Sequence, residues 1–329
     1  MQIRQTFTPE RPIAFLGGAL LSILYLPLLF HWVEGWLNKS ISTEHEYFSH
    51  GLIGLPFAAY LAWHSRQAWQ MLPHRTHPLG LMLLILGVGG YLSRLPDLIN
   101  FSFVAILAGL SLWLKGMAGL RLMGFPLLLV LLATPNSIPY LIAPYTLPLQ
   151  KLIAGTAGFI LVQLGMEVRV DQIYLFVNDR IVEVAPYCAG LKMLFTSLYV
   201  GLMLLYWTGA WISRAKVIWF YSGLVGLSVA ANIIRNTLLT YFHGTDQTAA
   251  FHWLHDSWGG DLYSAGMLGV LVIWLRTLED WIDAAEFDEI SDDDEADYPT
   301  EMAAETAIQP EMESLNLEIA LDMADEAGS

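Results

Sequence analysis

The chain is predicted to be an all-α polytopic membrane protein. About eight transmembrane helices are expected, with one interfacial or re-entrant helix and a small extracytoplasmic β-hairpin. Three observations lead there. Of the 329 residues 55% are hydrophobic and 14% charged, too few charges to cover a soluble surface. Apolar runs of near membrane-crossing length recur from residue 12 to residue 277. The net charge of −15 is not spread over the body, because 19 of the 31 acids fall from Glu279 onward, where Lys and Arg are absent. The body holds 16 basic and 12 acidic residues, a mildly positive balance that excludes a dedicated nucleic-acid surface. The expected organisation is a transmembrane domain over 1–278 and an acidic, largely disordered cytoplasmic tail over 279–329. Such a tail cannot bury enough apolar surface to offset its ordering entropy.

The spans are expected at about 12–33, 51–64, 78–93, 98–114, 122–138, 190–208, 217–238 and 261–277. The first run is too long for a cleaved signal peptide and is expected to remain. Loop charges orient the set. Arg4 and Arg11 place the N-terminus in the cytoplasm, and Glu34, Glu44 and Glu46 against Lys39 place the next loop outside. Arg66 and Arg75, then Lys115 and Arg121, return to the cytoplasm, while Arg94 with Asp97 makes a near-neutral outer turn. A ninth apolar stretch, 146–165, follows Pro135, Pro139, Pro144 and Pro148, which break a continuous helix. If it crossed, Arg214 and Lys216 would fall outside. Lying on the outer surface or re-entering, it leaves Arg214, Lys216 and Arg276 inside. The second arrangement is expected, with both termini cytoplasmic.

That arrangement gathers three segments on the outer face. Val168–Ala185 is rich in β-branched and aromatic residues, and Asn178-Asp179 at its middle tolerates the left-handed conformation of a tight turn, so a hairpin is expected. The loop over 239–260 carries His243, His252, His255 and Asp256, with Trp253 and Trp258 at interfacial depth. Arg235 stands near the outer end of the span before it. In the tail, residues 311–323 have an amphipathic periodicity suited to a helix on a partner.

Chemistry centres on Cys188, the one cysteine in the chain, which excludes an internal disulfide and a multi-thiolate zinc site. Cys188, Arg235 and His255 come from separate segments, yet the topology puts all three at one face. A Cys/His pair suits acyl transfer: the thiolate attacks, and a histidine removes its proton and returns one to a leaving amine. Arginine stays charged, so it can stabilise an oxyanion or hold a carboxylate. Each residue also has an ordinary structural role open to it. The thiol can be a small buried apolar group, Arg235 can snorkel to head groups, and the histidines can be solvated loop residues. Metal binding by His243, His252 and His255 is disfavoured because they lack an i, i+4 pair among themselves. No cofactor is expected.

The residues Val184-Ala185-Pro186-Tyr187-Cys188-Ala189-Gly190-Leu191 resemble the cysteine motif of the exosortase/archaeosortase family of membrane transpeptidases. Asn232-Ile233-Ile234-Arg235 is similar to that family's Asn-x-x-Arg motif. His255-Asp256, followed by Gly259-Gly260, resembles its His motif, and Ser49-His50-Gly51 another of its signatures. The matching order covers about 45–277. Ala189 departs from the usual serine after the cysteine, which removes a hydroxyl near the thiol but not the nucleophile. The Cys-Ala-Gly-Leu variant together with the acidic tail is similar to the cyanobacterial branch.

The resemblance implies a thiol peptidase or transpeptidase of the cytoplasmic (inner) membrane, with its site on the periplasmic face. Cys188, Arg235 and His255 would be catalytic, with His50, Asn232 and Asp256 in support. Its partners would be membrane lipid and exported proteins ending in a Pro-Glu-Pro-like motif, a transmembrane helix and a basic end. Two readings from other classes stand beside it. A transporter predicts paired charges near mid-bilayer, of which the sequence has few. A noncatalytic membrane scaffold working through its tail would lose function when 283–329 is deleted.

Overall fold

The structure, a computed structural model, describes residues 10–37, 47–184 and 190–294. The chain divides into two compact units, one of Met1–Trp63 with Pro73–Pro139, the other of His64–Leu72 with Tyr140–Ser329.

The first unit holds α1 (Glu10–Leu37), α2 (Gly51–His64), α4 (Pro78–Leu92), α5 (Pro96–Leu122) and α6 (Gly124–Ala133); α3 (Arg66–Met71) belongs to the second unit. Helices α4 and α5 open with Pro78 and Pro96, whose missing N–H is no loss in a first turn. They pack as an antiparallel pair so tight that a Cβ on Gly80 would lie 2.7 Å from the Trp113 nitrogen. Buried polar groups knit the unit together. Trp32 Nε1 donates to Asn100 Oδ1 at 2.8 Å, and Asn100 Nδ2 donates to the Pro135 carbonyl at 2.9 Å.

The second unit begins with a helical staircase rather than a loop. The short helix α7 (Ile138–Ile142) and a 3₁₀ turn (Ala143–Thr146) lead into α8 (Leu147–Gln163). Pro144 and Pro148 each stand at the start of an element, where proline is tolerated. Gly165, at φ 83°, closes α8 as the Met166 N–H returns to the Leu161 carbonyl at 3.1 Å.

The expected hairpin is a three-stranded antiparallel meander of β1 (Val168–Asp171), β2 (Tyr174–Val177) and β3 (Arg180–Glu183). Asn178 and Asp179 make the second turn with φ of 46° and 62°, the mirror-image turn that matches strand twist. The additional turn lies at Gln172, φ 61°, a residue type with no special turn chemistry, which is why the sequence reads as one hairpin. Leu175 and Val184 pack on Ile153, Ala154, Ala157 and Leu161 of α8.

Three long helices complete this unit: α9 (Leu191–Thr208), α10 (Arg214–Gly244) and α12 (Trp258–Asp294), with the short α11 (Thr248–His255) between the last two. Met193 and Leu205, Phe220 and Leu224, and Met267, Leu271 and Leu275 form their common core. Lys216 pairs with Asp283 at 2.6 Å, and the Trp219 and Trp281 rings meet edge to face at 6.4 Å. These contacts hold α12 past Glu279, where the tail was expected to begin; the helix runs to Asp294, and residues 295–329, including the amphipathic stretch 311–323, lie outside the described residues.

All eight expected spans are helical, but their lengths differ. Six helices among the described residues are long and apolar enough to cross a membrane: Ala19–Leu37, Pro96–Leu122, Ile138–Gln163, Leu191–Thr208, Arg214–Gly244 and Trp258–Ala284. Helices α2, α4 and α6, with 14, 15 and 10 residues, fall short of a full crossing at 1.5 Å per residue. The stretch over 146–165, expected on the outer surface or re-entering, belongs to one of these six, the helical run Ile138–Gln163.

Candidate functional site

Two contacts define one end of the α9–α10–α12 group. Gly190, which caps the start of α9 at φ 79°, lies against Asn232 of α10. Gly260, in the first turn of α12, lies against the Leu254 carbonyl of α11 and the Arg235 guanidinium of α10. The Lys216–Asp283 pair marks the other end. From Lys216 to Arg235 is 19 residues of continuous helix, about 28 Å at 1.5 Å per residue.

Asn232 and Arg235 are separated by one helical turn and therefore share a face of α10. Asn232 is 1% exposed, and Asn236 Nδ2 donates to its carbonyl at 2.9 Å and to its Oδ1 at 3.2 Å. Among the described residues its own Nδ2 has no hydrogen-bond partner, and it faces Gly190: a Cβ there would lie 2.6 Å from it. A buried amide donor without a partner carries a desolvation cost, on the order of 1–3 kcal/mol, which marks a position that packing alone would fill with an apolar residue. Arg235 is half-buried, and among the described residues no carboxylate pairs with it. Beside it Tyr263 donates to the Ala231 carbonyl at 2.5 Å, joining α12 to α10.

His255 closes α11, stacked on Phe251 with ring centres 5.2 Å apart and planes 10° from parallel. Its Nδ1 lies 2.5 Å from Asp256 Oδ1, and His252 Nδ1 lies 2.6 Å from Asp256 Oδ2. An ionised carboxylate only accepts, so each Nδ1 carries the proton and Nε2 of a neutral His255 is left as the basic nitrogen. The two imidazole donors hold the Asp256 carboxyl below its ordinary 3.8. Since that shift is downward, the pairing contributes in full above the unfolded value and is lost only as pH falls through the folded one. At neutral pH it is intact.

The sheet is latched to the same end. Arg180 donates to the His243 carbonyl at 2.8 Å and pairs with Asp246 at 2.6 Å, while Asn178 Nδ2 donates to the Gly244 carbonyl at 2.8 Å. The turn before β3 and the start of β3 are thereby tied to the end of α10, and Gln150 of α8 donates to the Val184 carbonyl just after β3 at 2.9 Å.

The structure thus brings the Asn232–Arg235 turn together with the Leu254–Gly260 segment that carries His255 and Asp256. Cys188 lies outside the described residues, two positions before Gly190. His50 belongs to the first unit, 5% exposed, with its Nε2 3.1 Å from the Leu132 carbonyl, a contact that fastens the start of α2 to α6. From sequence Gly190 stands out only as part of the cysteine motif and His252 only as one of three loop histidines, and Arg180 is not marked at all. A glycine opening a long apolar helix is a signal for Gly190, and His252 stands four residues before Asp256 on a helix, but nothing local marks Arg180 as reaching residues more than 60 positions away.

A helical, multi-pass membrane protein with a small sheet, in which Arg235 meets the segment bearing His255 at one end of a helix group, defines a class of polytopic proteins. The family model described as transmembrane exosortase (Exosortase_EpsH) matches residues 32–272. That range is well over half of the chain, and the chain belongs to that family. No curated protein and no solved structure gives a match.

Proposed function

We propose that the chain is a membrane cysteine transpeptidase or peptidase that processes C-terminal sorting signals of exported proteins. The substrates would carry a Pro-Glu-Pro-like motif, a transmembrane helix and a basic end. The observation that carries this reading is the convergence on Gly260 of Arg235, which no carboxylate among the described residues pairs, and the segment bearing the Asp256-oriented His255. Gly190 beside Asn232 brings the chain there two peptide units from Cys188, a reach of about 7 Å at most.

In this mechanism the Cys188 thiolate adds to the peptide carbonyl next to the substrate's helix. Arg235 stabilises the oxyanion of the tetrahedral intermediate. As the C–N bond breaks, the His255 imidazolium gives its proton to the leaving amine, and a thioester remains on Cys188. An acceptor amine or water then attacks the thioester, neutral His255 takes its proton, and Cys188 leaves as the thiolate, restoring the starting thiolate and imidazolium. Asn232 and Asp256 support the site, Asp256 by fixing the His255 ring.

Loop charge supports a site on the outer, periplasmic face of the cytoplasmic membrane. Arg214, Lys216 and Arg276 lie toward the end of the helix group opposite Arg235, and such residues favour the cytoplasm. A surface or re-entrant position for α8 is supported by its partner. Open strands carrying Arg169, Asp171, Asp179, Arg180 and Glu183 pack along Ile153–Leu161, and such edges are not found in lipid.

The test is co-expression with a tagged protein bearing the three-part signal. Processing is expected with the wild-type chain and should disappear with Cys188→Ala, Arg235→Ala or His255→Ala. Normal processing by Cys188→Ala would defeat the reading. Asp256→Asn should fold normally yet process about 10²-fold more slowly, because an amide no longer dictates which His255 nitrogen bears the proton. Initial rates alongside expression level check this, and an unchanged rate would remove Asp256 from the mechanism.

A further inference from the structure

We propose that the outer edge of β3 is a docking strand for the substrate, which joins the sheet as a fourth, extended strand beside its scissile bond. This rests on the reading of Cys188 as nucleophile. The register shows why the edge is available. Val184 N donates to the Ile173 carbonyl at 2.9 Å, so Val184, Val182 and Arg180 turn their main-chain groups toward β2. Ile181 and Glu183 therefore turn theirs away, and among the described residues no hydrogen bond takes them. Two N–H donors and two carbonyls at alternate positions are the complement of an extended polypeptide backbone.

Three further features favour this edge. The Ile181 side chain is 59% exposed at its centre, an apolar contact for a docked residue. The edge is rigidly held, because Arg180 is tied to the end of α10 through His243 and Asp246. It also leads into the nucleophile, since Glu183 stands five residues before Cys188. The opposite edge, β1, follows directly from α8 and has no such continuity. Strand addition holds a peptide by its main chain and leaves its side chains to alternate between faces. A substrate helix anchored in the membrane would thus be drawn out as an extended segment before it reaches the thiol.

Because the chain has one cysteine, Cys188→Ala yields a cysteine-free protein in which single cysteines can be placed cleanly. Ile181→Cys and, as the comparison, Val170→Cys on the outer edge of β1 are each made in that background. They are co-expressed with the tagged signal-bearing substrate carrying one cysteine scanned through the segment before its transmembrane helix, under mild oxidation. The expected result is a disulfide to Ile181→Cys whose yield rises and falls at least about five-fold with a period of two residues, and little product with Val170→Cys. Equal yields at successive positions, equal yields from Val170→Cys, or no product at Ile181→Cys would each overturn the docking. Processing by the wild-type chain is read separately. Processing without an alternating cross-link defeats the docking alone, whereas an alternating cross-link without processing defeats the transpeptidase reading alone.

Discussion

Gly190→Ala is expected to abolish processing and to lower thermal stability together. At φ 79° a Cβ costs about 1–2 kcal/mol on conformational grounds alone. The same Cβ would lie 2.5 Å from Asn232 Cγ, a separation that forces movement. Asn232 has little room to yield: it is 1% exposed and its carbonyl and Oδ1 both accept from Asn236. Overpacking of this kind adds roughly 1–3 kcal/mol. The two costs act on the residue that links β3 and the Cys188 segment to α9, so local displacement reaches the reacting groups. The measurement is the melting temperature in detergent together with the processing rate. Adding Asn232→Ala removes the two shortest contacts but leaves the Asn232 Cβ at 2.9 Å and the backbone strain, so it should restore part of the stability and none of the activity. A Gly190→Ala protein with normal stability and rate would show that this junction does not position the site.

Arg235→Lys should have the second largest effect, with the opposite pattern. Among the described residues no carboxylate pairs with Arg235, so its replacement leaves no buried partner unsatisfied and stability should stay within about 0.5 kcal/mol. Charge is kept, but the planar fork of donors is replaced by a single flexible ammonium. Loss of an oxyanion donor costs about 10²–10³-fold in rate. The processing rate should fall by that amount with substrate binding little changed, since the interaction is made in the transition state. Retention of rate with weakened binding would assign Arg235 to the substrate's carboxylates instead.

Much of this was legible in the linear chain. Helix positions followed from apolar runs because each long helix satisfies its own backbone hydrogen bonds and needs only local sequence. Arg235 was readable as a charge near the end of an apolar span, and Asn232 with it as a resemblance to the family's Asn-x-x-Arg motif. The third strand escaped because the turn at Gln172 relies on backbone conformation rather than on turn-forming residues. The Lys216–Asp283 pair, which carries α12 beyond Glu279, escaped because it joins residues far apart in sequence.

By itself the sequence determined a helical membrane body, an acidic end, and three candidate residues that loop charge assigns to one face. Only the tertiary structure decided which groups within those segments meet. It set Asn232 against Gly190 and Arg235 against Gly260, gave Asp256 both His252 and His255, and latched the sheet through Arg180. The reason is physical. Apolar periodicity is written locally and survives in any packing, whereas a close approach between two backbones depends on the relative placement of helices that no single segment encodes.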